Sequence, residues 1–488
     1  MNRILINPEH STGTLDPNVF GGFAEHLGHC VYGGMYDPES PLADERGLRT
    51  DVLDAMRRLK MPVIRYPGGN FVSGYRWRDG VGPGAERPVR LDMAWDTIET
   101  NQFGTNEFIE WCRLINTEPY LVVNAGDGDM REARDWVEYC NSTRDTTLTR
   151  LRQQHGYEQP HNVKYWGIGN EVDGPWQIGY KTPQEYARVA TEFGKVMKWV
   201  DPSIKLIVNG VSNWDAGDFV ERGQLLLEQA AHLIDYLSIH WYVDNDSGDF
   251  GQYMALSELF EQRLSAYEGL IRAVKTERRI ERPIYIAVDE WNVWHRMDIE
   301  SGGHNAVIYN LEDALVVAMQ LNAFLRHASS VKMANIAQIV NVLAPIYTTR
   351  EGMLLQSIFY TFALFSNLAG TQVVQSHYSG DTFSAGDAAA LPLLDVTATL
   401  SADNKQLVVF AINRSEQAAV ETAITLALGQ FAGPVQVHTV NGADIKTRNT
   451  FDNPQAVQTT VHEQAASGRE ITVAFEPHSV TALVCPLT

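Results

Sequence analysis

Between about residues 18 and 345 one pattern recurs: a short apolar run, a polar loop, then an amphipathic helical stretch. The apolar runs are "VFGGFAE" (19–25), "PVIRYPGG" (62–69), "PYLVVNAG" (119–126), "VKYWGIGN" (163–170), "IKLIVNG" (204–210), "DYLSIHW" (235–241), "PIYIAVDE" (283–290) and "VKMANIAQIV" (331–340). Strands alternating with helices predict a parallel sheet covered by helices. Eight such units predict closure into a (β/α)8 TIM barrel rather than an open doubly wound sheet. A dinucleotide-binding fingerprint is missing after the first run: "GGFAEHLGHCVYGG" is glycine-rich but lacks the spacing and the following helix.

The helical stretches carry their own signals. In "RTDVLDAMRRLK" (49–60), Val52, Leu53, Met56 and Leu59 fall at helical spacing. "TPQEYARVATEFGKVMKWV" (182–200) opens with Thr182 as N-cap, Pro183 in the first turn and Glu185 as the N3 acid. After about residue 370 the rhythm changes to short alternating runs, such as "VTATLSADNKQLVVFAINRS", separated by Asn, Asp, Gly and Pro. These runs predict a C-terminal all-β jelly roll or sandwich. A chain of 488 residues exceeds one ordinary core, so we divide it into a barrel of residues 13–369 and a β-domain of 370–488. Residues 1–12 alternate in the same way and are expected to lend the β-domain a strand.

The net charge of −21 argues against a nucleic-acid partner. No apolar window is long enough for a membrane span, and the N-terminus lacks a signal-peptide pattern. The expectation is a cytoplasmic protein that uses neither membrane nor nucleic acid. Cys30, Cys112, Cys140 and Cys485 are scattered without paired spacing, and Cys112 and Cys140, in helix-like stretches, read as buried thiols.

In such barrels the reactive groups sit at the C-terminal ends of the strands. Those ends carry Glu25-His26, Arg65 and Asn70, Asn170-Glu171, His240-Trp241-Tyr242, Glu290-Trp291-Asn292, and Gln338 with Asn341. Polar groups at so many ends of one barrel are expected to converge on a cavity. Glu171 and Glu290 come from strands four and seven, roughly across the mouth from each other. One protonated and one ionised carboxyl make the pair that hydrolyses glycosides. Arg65 and Tyr242 are placed to keep Glu290 ionised. Glu171 would hold its proton through partial desolvation and the charge of Glu290. His240 can hydrogen-bond Glu171 or the leaving group, and Asn170 offers a donor to a sugar 2-hydroxyl. The turn "VDGPW" after Glu171 brings Trp176 near the rim.

Other chemistries fit less well. His26, His29 and Cys30 cluster in "EHLGHC", but the spacing is not a zinc pattern, and Glu25 suits a sugar hydroxyl better. Serine-hydrolase chemistry has no "GxSxG" to rest on. Asp127 and Asp129 read as loop acids. Strand alternation puts Asp289 on the opposite face from Glu290, where it would brace the barrel wall.

The stretches "GGFAEHLG", "IRYPGGNFVSGY", "WGIGNEVDGPWQ", "IHWY", "VDEWNVW" and "ANIAQIVNVLAPI" resemble the signatures of glycoside hydrolase family 51 α-L-arabinofuranosidases, in the expected order from about residue 15 to the end. The resemblance implies exo-acting, retaining hydrolysis with Glu171 as acid/base and Glu290 as nucleophile. It implies that Glu25, Asn70, Asn170 and Gln338 hold the arabinofuranosyl ring, and that Arg65, His240 and Tyr242 support the carboxylates. Trp95 and Trp294 match pocket-lining positions, although each could equally be a rim core residue. The family's substrates would be arabinofuranose-containing oligosaccharides from arabinoxylan or arabinan. No metal or cofactor is implied, and a homo-oligomer, hexamer or smaller, is expected. Arg76 and Arg78 in "YRWRDG" depart from the family pattern by adding positive charge beside the cleft. An endo-glucanase or β-xylosidase on this scaffold, or a catalytically silent carbohydrate-binding protein, are the alternatives.

Overall fold

The computed structural model describes residues 2–295, 307–386 and 388–488. Eight parallel strands close into a barrel: Gly21–Phe23, Val63–Tyr66, Glu118–Val123, Tyr165–Ile168, Lys205–Val211, Tyr236–Val243, Tyr285–Val293 and Val331–Ala337. The ring closes where Ala337 pairs with Phe23. Each of the eight apolar runs supplies one strand. Val63, Tyr120, Val122, Tyr165, Ile207, Tyr236, Ala287 and Met333 pack together inside the barrel, leaving the C-terminal strand ends to polar groups.

The helices outside form where their caps and apolar faces direct. Pro183–Val200 begins with a complete capping box: the Glu185 carboxylate accepts from the Thr182 N–H at 2.9 Å, and the Thr182 hydroxyl accepts from the Glu185 N–H at 3.4 Å. Its Tyr186, Ala187, Ala190 and Met197 are buried toward the strands. Asp129 likewise caps Met130–Asn141, accepting from the N–H groups of Arg131 and Glu132. Of the described helices, none is long and apolar enough to cross a membrane.

The C-terminal region forms a nine-stranded sheet that folds over its own core. Along it lie Gln458–Gln464, Val435–Asn441, Val480–Pro486, Gln406–Asn413, Leu394–Leu400, Gln372–Ser379, Asn2–Thr14, Val420–Leu426 and Glu470–Phe475. The N-terminal strand runs antiparallel to Gln372–Ser379 and parallel to Val420–Leu426. Strand "QLVVFAIN" (406–413) shows why its apolar run is continuous. Leu407, Val409 and Ala411 enter the sandwich core beside Ile4 and Leu483, while Val408, Phe410 and Ile412 belong to the core shared with the barrel. Phe410 stacks on Phe365 of helix Ser357–Leu368 with centroids 4.1 Å apart.

A partly buried ion pair also ties the two parts together. Arg326, at the end of helix Leu311–Arg326, donates through Nη1 to Asp395 at 2.5 Å and through Nε to Glu261 at 2.7 Å. Phe410→Ala removes the stacked ring from the joint core and is expected to cost about 3–5 kcal/mol. The thermal midpoint in scanning calorimetry should fall by several degrees. An unchanged midpoint would mean the stack contributes nothing.

Candidate active site

Arg65 organises the barrel mouth. It is the penultimate residue of the second strand and is wholly buried, with its guanidinium over the Phe23 ring at 4.6 Å. Nη1 donates to Glu290 Oε2 at 2.6 Å, Nη2 donates to the side-chain oxygen of Asn170, and Nε lies 3.6 Å from Asp289 Oδ2. Tyr242 donates its hydroxyl to the other Glu290 oxygen at 2.8 Å. Burial and the Glu290 charge push this phenol well above its usual range, so it remains a donor. Both Glu290 oxygens are thus held by donors. Asn170, its oxygen spent on Arg65, keeps a buried side-chain N–H2 with no acceptor among the described residues.

Asp289 corrects the expectation from strand alternation. Its oxygens accept from the Ser238 hydroxyl and from the Tyr120 hydroxyl (2.7 Å), and Oδ1 lies 3.1 Å from His240 Nε2. It therefore faces the barrel interior, as Glu290 does. The cause is an irregularity in Tyr285–Val293: three residues, Ala287 to Glu290, advance against two of the neighbouring strand, Ser238 to His240. A β-bulge of this kind lets two adjacent acids point the same way. Burial opposes the Asp289 charge, but Arg65, His240 and Ser238 outweigh it and hold the carboxyl well below the usual carboxylate range.

His240 bridges three carboxylates. Its Nε2 faces Asp289, while Nδ1 lies 3.1 Å from Glu171 Oε1 and 3.5 Å from Glu290 Oε2. Burial works against the imidazolium, yet the charge of Glu290 and the contacts to Asp289 and Glu171 raise its pKa to about 10. Both ring nitrogens therefore carry protons at neutral pH.

Glu171 completes the cluster just past strand Tyr165–Ile168. Its backbone adopts a left-handed φ of 43°, an uncommon conformation for a residue with a side chain. Trp176, half exposed at the rim, donates from its indole to Glu171 Oε2 at 2.8 Å. Between them, buried Asp173 accepts from the N–H groups of Ser212 (2.7 Å) and Asn213 (2.9 Å), fastening the loop after strand five beside Glu171.

Glu25 sits opposite, held by the Phe71 N–H (3.1 Å), the Trp95 indole (3.0 Å) and the Gln338 amide (3.1 Å). Burial, aided by the Glu290 charge, nonetheless pushes its pKa up to about 8. The glycine pair in "YPGGN" makes room for it, since a Cβ on Gly69 would stand 2.6 Å from Glu25 Oε2. Asn70 accepts from Gln177, which in turn accepts from Ser73 at 2.8 Å.

These groups open into one cavity of about 590 Å³ lined by Glu25, Asn70, Glu171, His240, Tyr242, Glu290 and Gln338. Trp95, Trp176, Trp214 and Trp294 supply its aromatic walls. Trp294 packs edge-on against Tyr242 at 5.0 Å. Four residues from these strand ends turn elsewhere. His26 bonds Tyr66 (2.7 Å) and Glu99 (2.8 Å), and Asn292 donates to the carbonyls of Ala337 and Leu343. Asn341 donates to His29 O and Thr348, while Trp291 packs edge-on against Phe324. The positive charge expected from Arg78 is matched by Asp135 at 2.6 Å, and Arg76 lines a separate recess with Asp79, Asp92 and Glu99. Trp214 and Arg263, from outside the polar strand ends, are cavity residues that strand-end reading misses.

Donor atoms of Glu171, His240 and Glu290 lie within 4.8 Å of one another, the spacing of a cation site. The donor set does not suit one. An ion would have to displace both the Arg65 guanidinium and the Nδ1 proton of His240.

Two family models cover most of the chain: "Alpha-L-arabinofuranosidase 1 domain" matches residues 55–267 and "Alpha-L-arabinofuranosidase C-terminal domain" residues 289–479. The intracellular exo-α-(1→5)-L-arabinofuranosidase 1 of Bacillus subtilis is 39% identical, with 98% of this chain and 97% of that protein aligned. The family 51 α-L-arabinofuranosidase of Thermotoga petrophila superposes with a TM-score of 0.91 at 37% identity, over 99% of this chain and 100% of that one. The chain belongs to glycoside hydrolase family 51. The arabinose complex of the Thermotoga maritima α-L-arabinofuranosidase is similar to this family 51 chain over 100% of both chains, with a TM-score of 0.92 and 37% identity.

The His240 shift carries a stability signature. An imidazole whose folded pKa lies near 10 stabilises fully below its unfolded value of about 6.5, and that stability is lost as pH rises toward 10. Asp289→Asn removes one of the charges that sustain the shift. The gap in unfolding free energy between wild type and variant, from denaturant titrations, should be widest near pH 6.5 and narrow toward pH 10. A constant gap would contradict an imidazolium held by Asp289.

Proposed function

We propose that this protein is a retaining, exo-acting α-L-arabinofuranosidase that releases terminal arabinofuranosyl residues from oligosaccharides derived from arabinoxylan or arabinan. The observation that carries the reading is the pair of carboxylates with oxygens within 4.8 Å, one ion-paired to Arg65 and the other capped by Trp176. An inverting pair needs about 6.5–9.5 Å to seat a water between carboxylate and sugar, whereas a retaining pair stands closer.

Glu290 attacks the anomeric carbon while Glu171 gives its proton to the departing oxygen, leaving a glycosyl ester on Glu290. The imidazolium Nδ1 of His240, 3.1 Å behind Glu171, steadies the carboxylate that remains. Water, deprotonated by Glu171, then opens the ester and restores both residues with net retention. The cycle balances with water alone, so the reading requires neither metal nor cofactor. Glu25, Asn70, Asn170 and Gln338 hold the ring, with the free amide of Asn170 available to the 2-hydroxyl. Trp95 and Trp294 wall the pocket, and Arg65, His240 and Tyr242 set the charges.

The full-length relatives bearing the arabinofuranosidase name favour this substrate over the glucanase and β-xylosidase alternatives. A cytoplasmic location follows the relatives named intracellular. Assembly as a homo-oligomer, hexamer or smaller, rests on the family resemblance. The division into a catalytic barrel of 13–369 and a β-domain of 370–488, joined by 1–12, agrees with the pairing of Asn2–Thr14 to Gln372–Ser379.

Glu171→Ala should slow arabinofuranosides with poor leaving groups far more than activated aryl ones, because only the former require protonation. Steady-state kinetics on both kinds of substrate check this. Added azide should partly restore the activated reaction and give an arabinosyl azide of retained configuration. Equal losses on both substrates, or an inverted azide, would overturn the assignment.

A further inference from the structure

Among the described residues, the cavity holds one cation that the hydrolytic machinery does not use. Arg263, on helix Leu256–Arg278, reaches up to the mouth and lines the same cavity as Glu171 and Glu290. Its guanidinium lies over the Trp214 ring at 4.8 Å. That indole is itself fixed: its N–H donates to the His240 carbonyl at 2.8 Å, and its ring packs on Phe219 at 5.4 Å. The stack therefore has a set position relative to His240, whose ring faces Glu171.

What distinguishes Arg263 is what it lacks. The wholly buried Arg49, Arg65, Arg152 and Arg222 each donate to carbonyl or carboxylate oxygens. The Arg263 guanidinium, also substantially withdrawn from solvent, makes no hydrogen bond or ion pair among the described residues. Asp215 influences it only through space. Burial accordingly pushes its pKa down to about 10. Five N–H donors in a planar fork are left facing a cavity whose other fixed charges among the described residues, apart from His240, are carboxylates.

We propose that Arg263 and Trp214 form a subsite on the leaving-group side of the cavity that recognises a carboxylate, as carried by an acidic, uronate-bearing saccharide. The proposal rests on the arabinofuranosidase reading, because Glu171, beside the stack, is what that reading aims at the departing oxygen. A carboxylate matches the guanidinium fork in shape and charge, so it offsets the desolvation that Arg263 carries in the free protein better than a hydroxyl does. Trp214 gives the adjoining sugar ring a flat apolar face. Carboxylates at the pocket floor repel an anion from the arabinofuranosyl position, which confines the acidic group to the outer cation.

The test compares 4-carboxyphenyl α-L-arabinofuranoside with its neutral 4-carbamoylphenyl analogue in wild type, Arg263→Met and Arg263→Lys. The readout is the ratio of kcat/KM values, acid over amide, so intrinsic differences between the leaving groups cancel across variants. A charge-assisted contact predicts that this ratio falls about tenfold or more in Arg263→Met, is partly kept in Arg263→Lys, and shrinks in wild type as salt is raised. The same ratio in all three proteins, or equal losses on both substrates, would overturn the subsite. Failure of wild type to hydrolyse either arabinofuranoside would instead remove the reading on which the subsite rests.

Discussion

The guanidinium of Arg65 is the cation around which the barrel mouth is assembled. It is fully buried, a position tolerable only because carboxylates and a carbonyl-type oxygen surround it. In one group it joins strand two to strand four through Asn170 and to strand seven through Asp289 and Glu290. Without it, two acids of one strand would share a dry interior with His240 alone. The ion pair to Glu290 is thus a structural closure across the barrel, and it fixes the position of the carboxylate proposed to attack the sugar.

Charge is layered beneath the mouth. Asp289 lies under the site, neutralised by Arg65 and tied to Tyr120 and Ser238, and it holds the imidazolium of His240 from below. His240 in turn presents Nδ1 to Glu171 and Glu290. Glu25, across the cavity and pushed toward its neutral form, keeps a further negative charge from accumulating beside Glu290. The chain as a whole is strongly acidic, yet every acid in this cluster has a donor or a cation assigned to it.

The barrel was legible because its signal is repetitive: eight apolar runs, each followed by an amphipathic stretch, leave few alternatives. Glu171 and Glu290 were legible for a related reason, since a carboxylate at the end of a buried strand stands out against the residues before it. Asp289 was not. Its orientation depends on a bulge set by register with the strand carrying Ser238 and His240, and no local pattern announces that extra residue. Trp214 and Arg263 were hidden differently, because one sits on a loop pinned by Asp173 and the other midway along a helix. His26, Asn292 and Asn341 carry the opposite lesson: polar strand ends also serve to stitch loops to backbone carbonyls and neighbouring side chains, and sequence position does not separate the two uses.

In the proposed mechanism Arg65 and Tyr242 hold Glu290 as the group that bonds to the sugar, with Glu171 serving the proton. Incubation with an activated 2-deoxy-2-fluoro-α-L-arabinofuranosyl donor, whose electron-poor ring slows release from the enzyme, followed by peptide mapping in the mass spectrometer, reads that bond directly. We expect one fluoroarabinosyl unit per chain, esterified to Glu290. A label on Glu171, or inactivation with no covalent adduct at either glutamate, would contradict it.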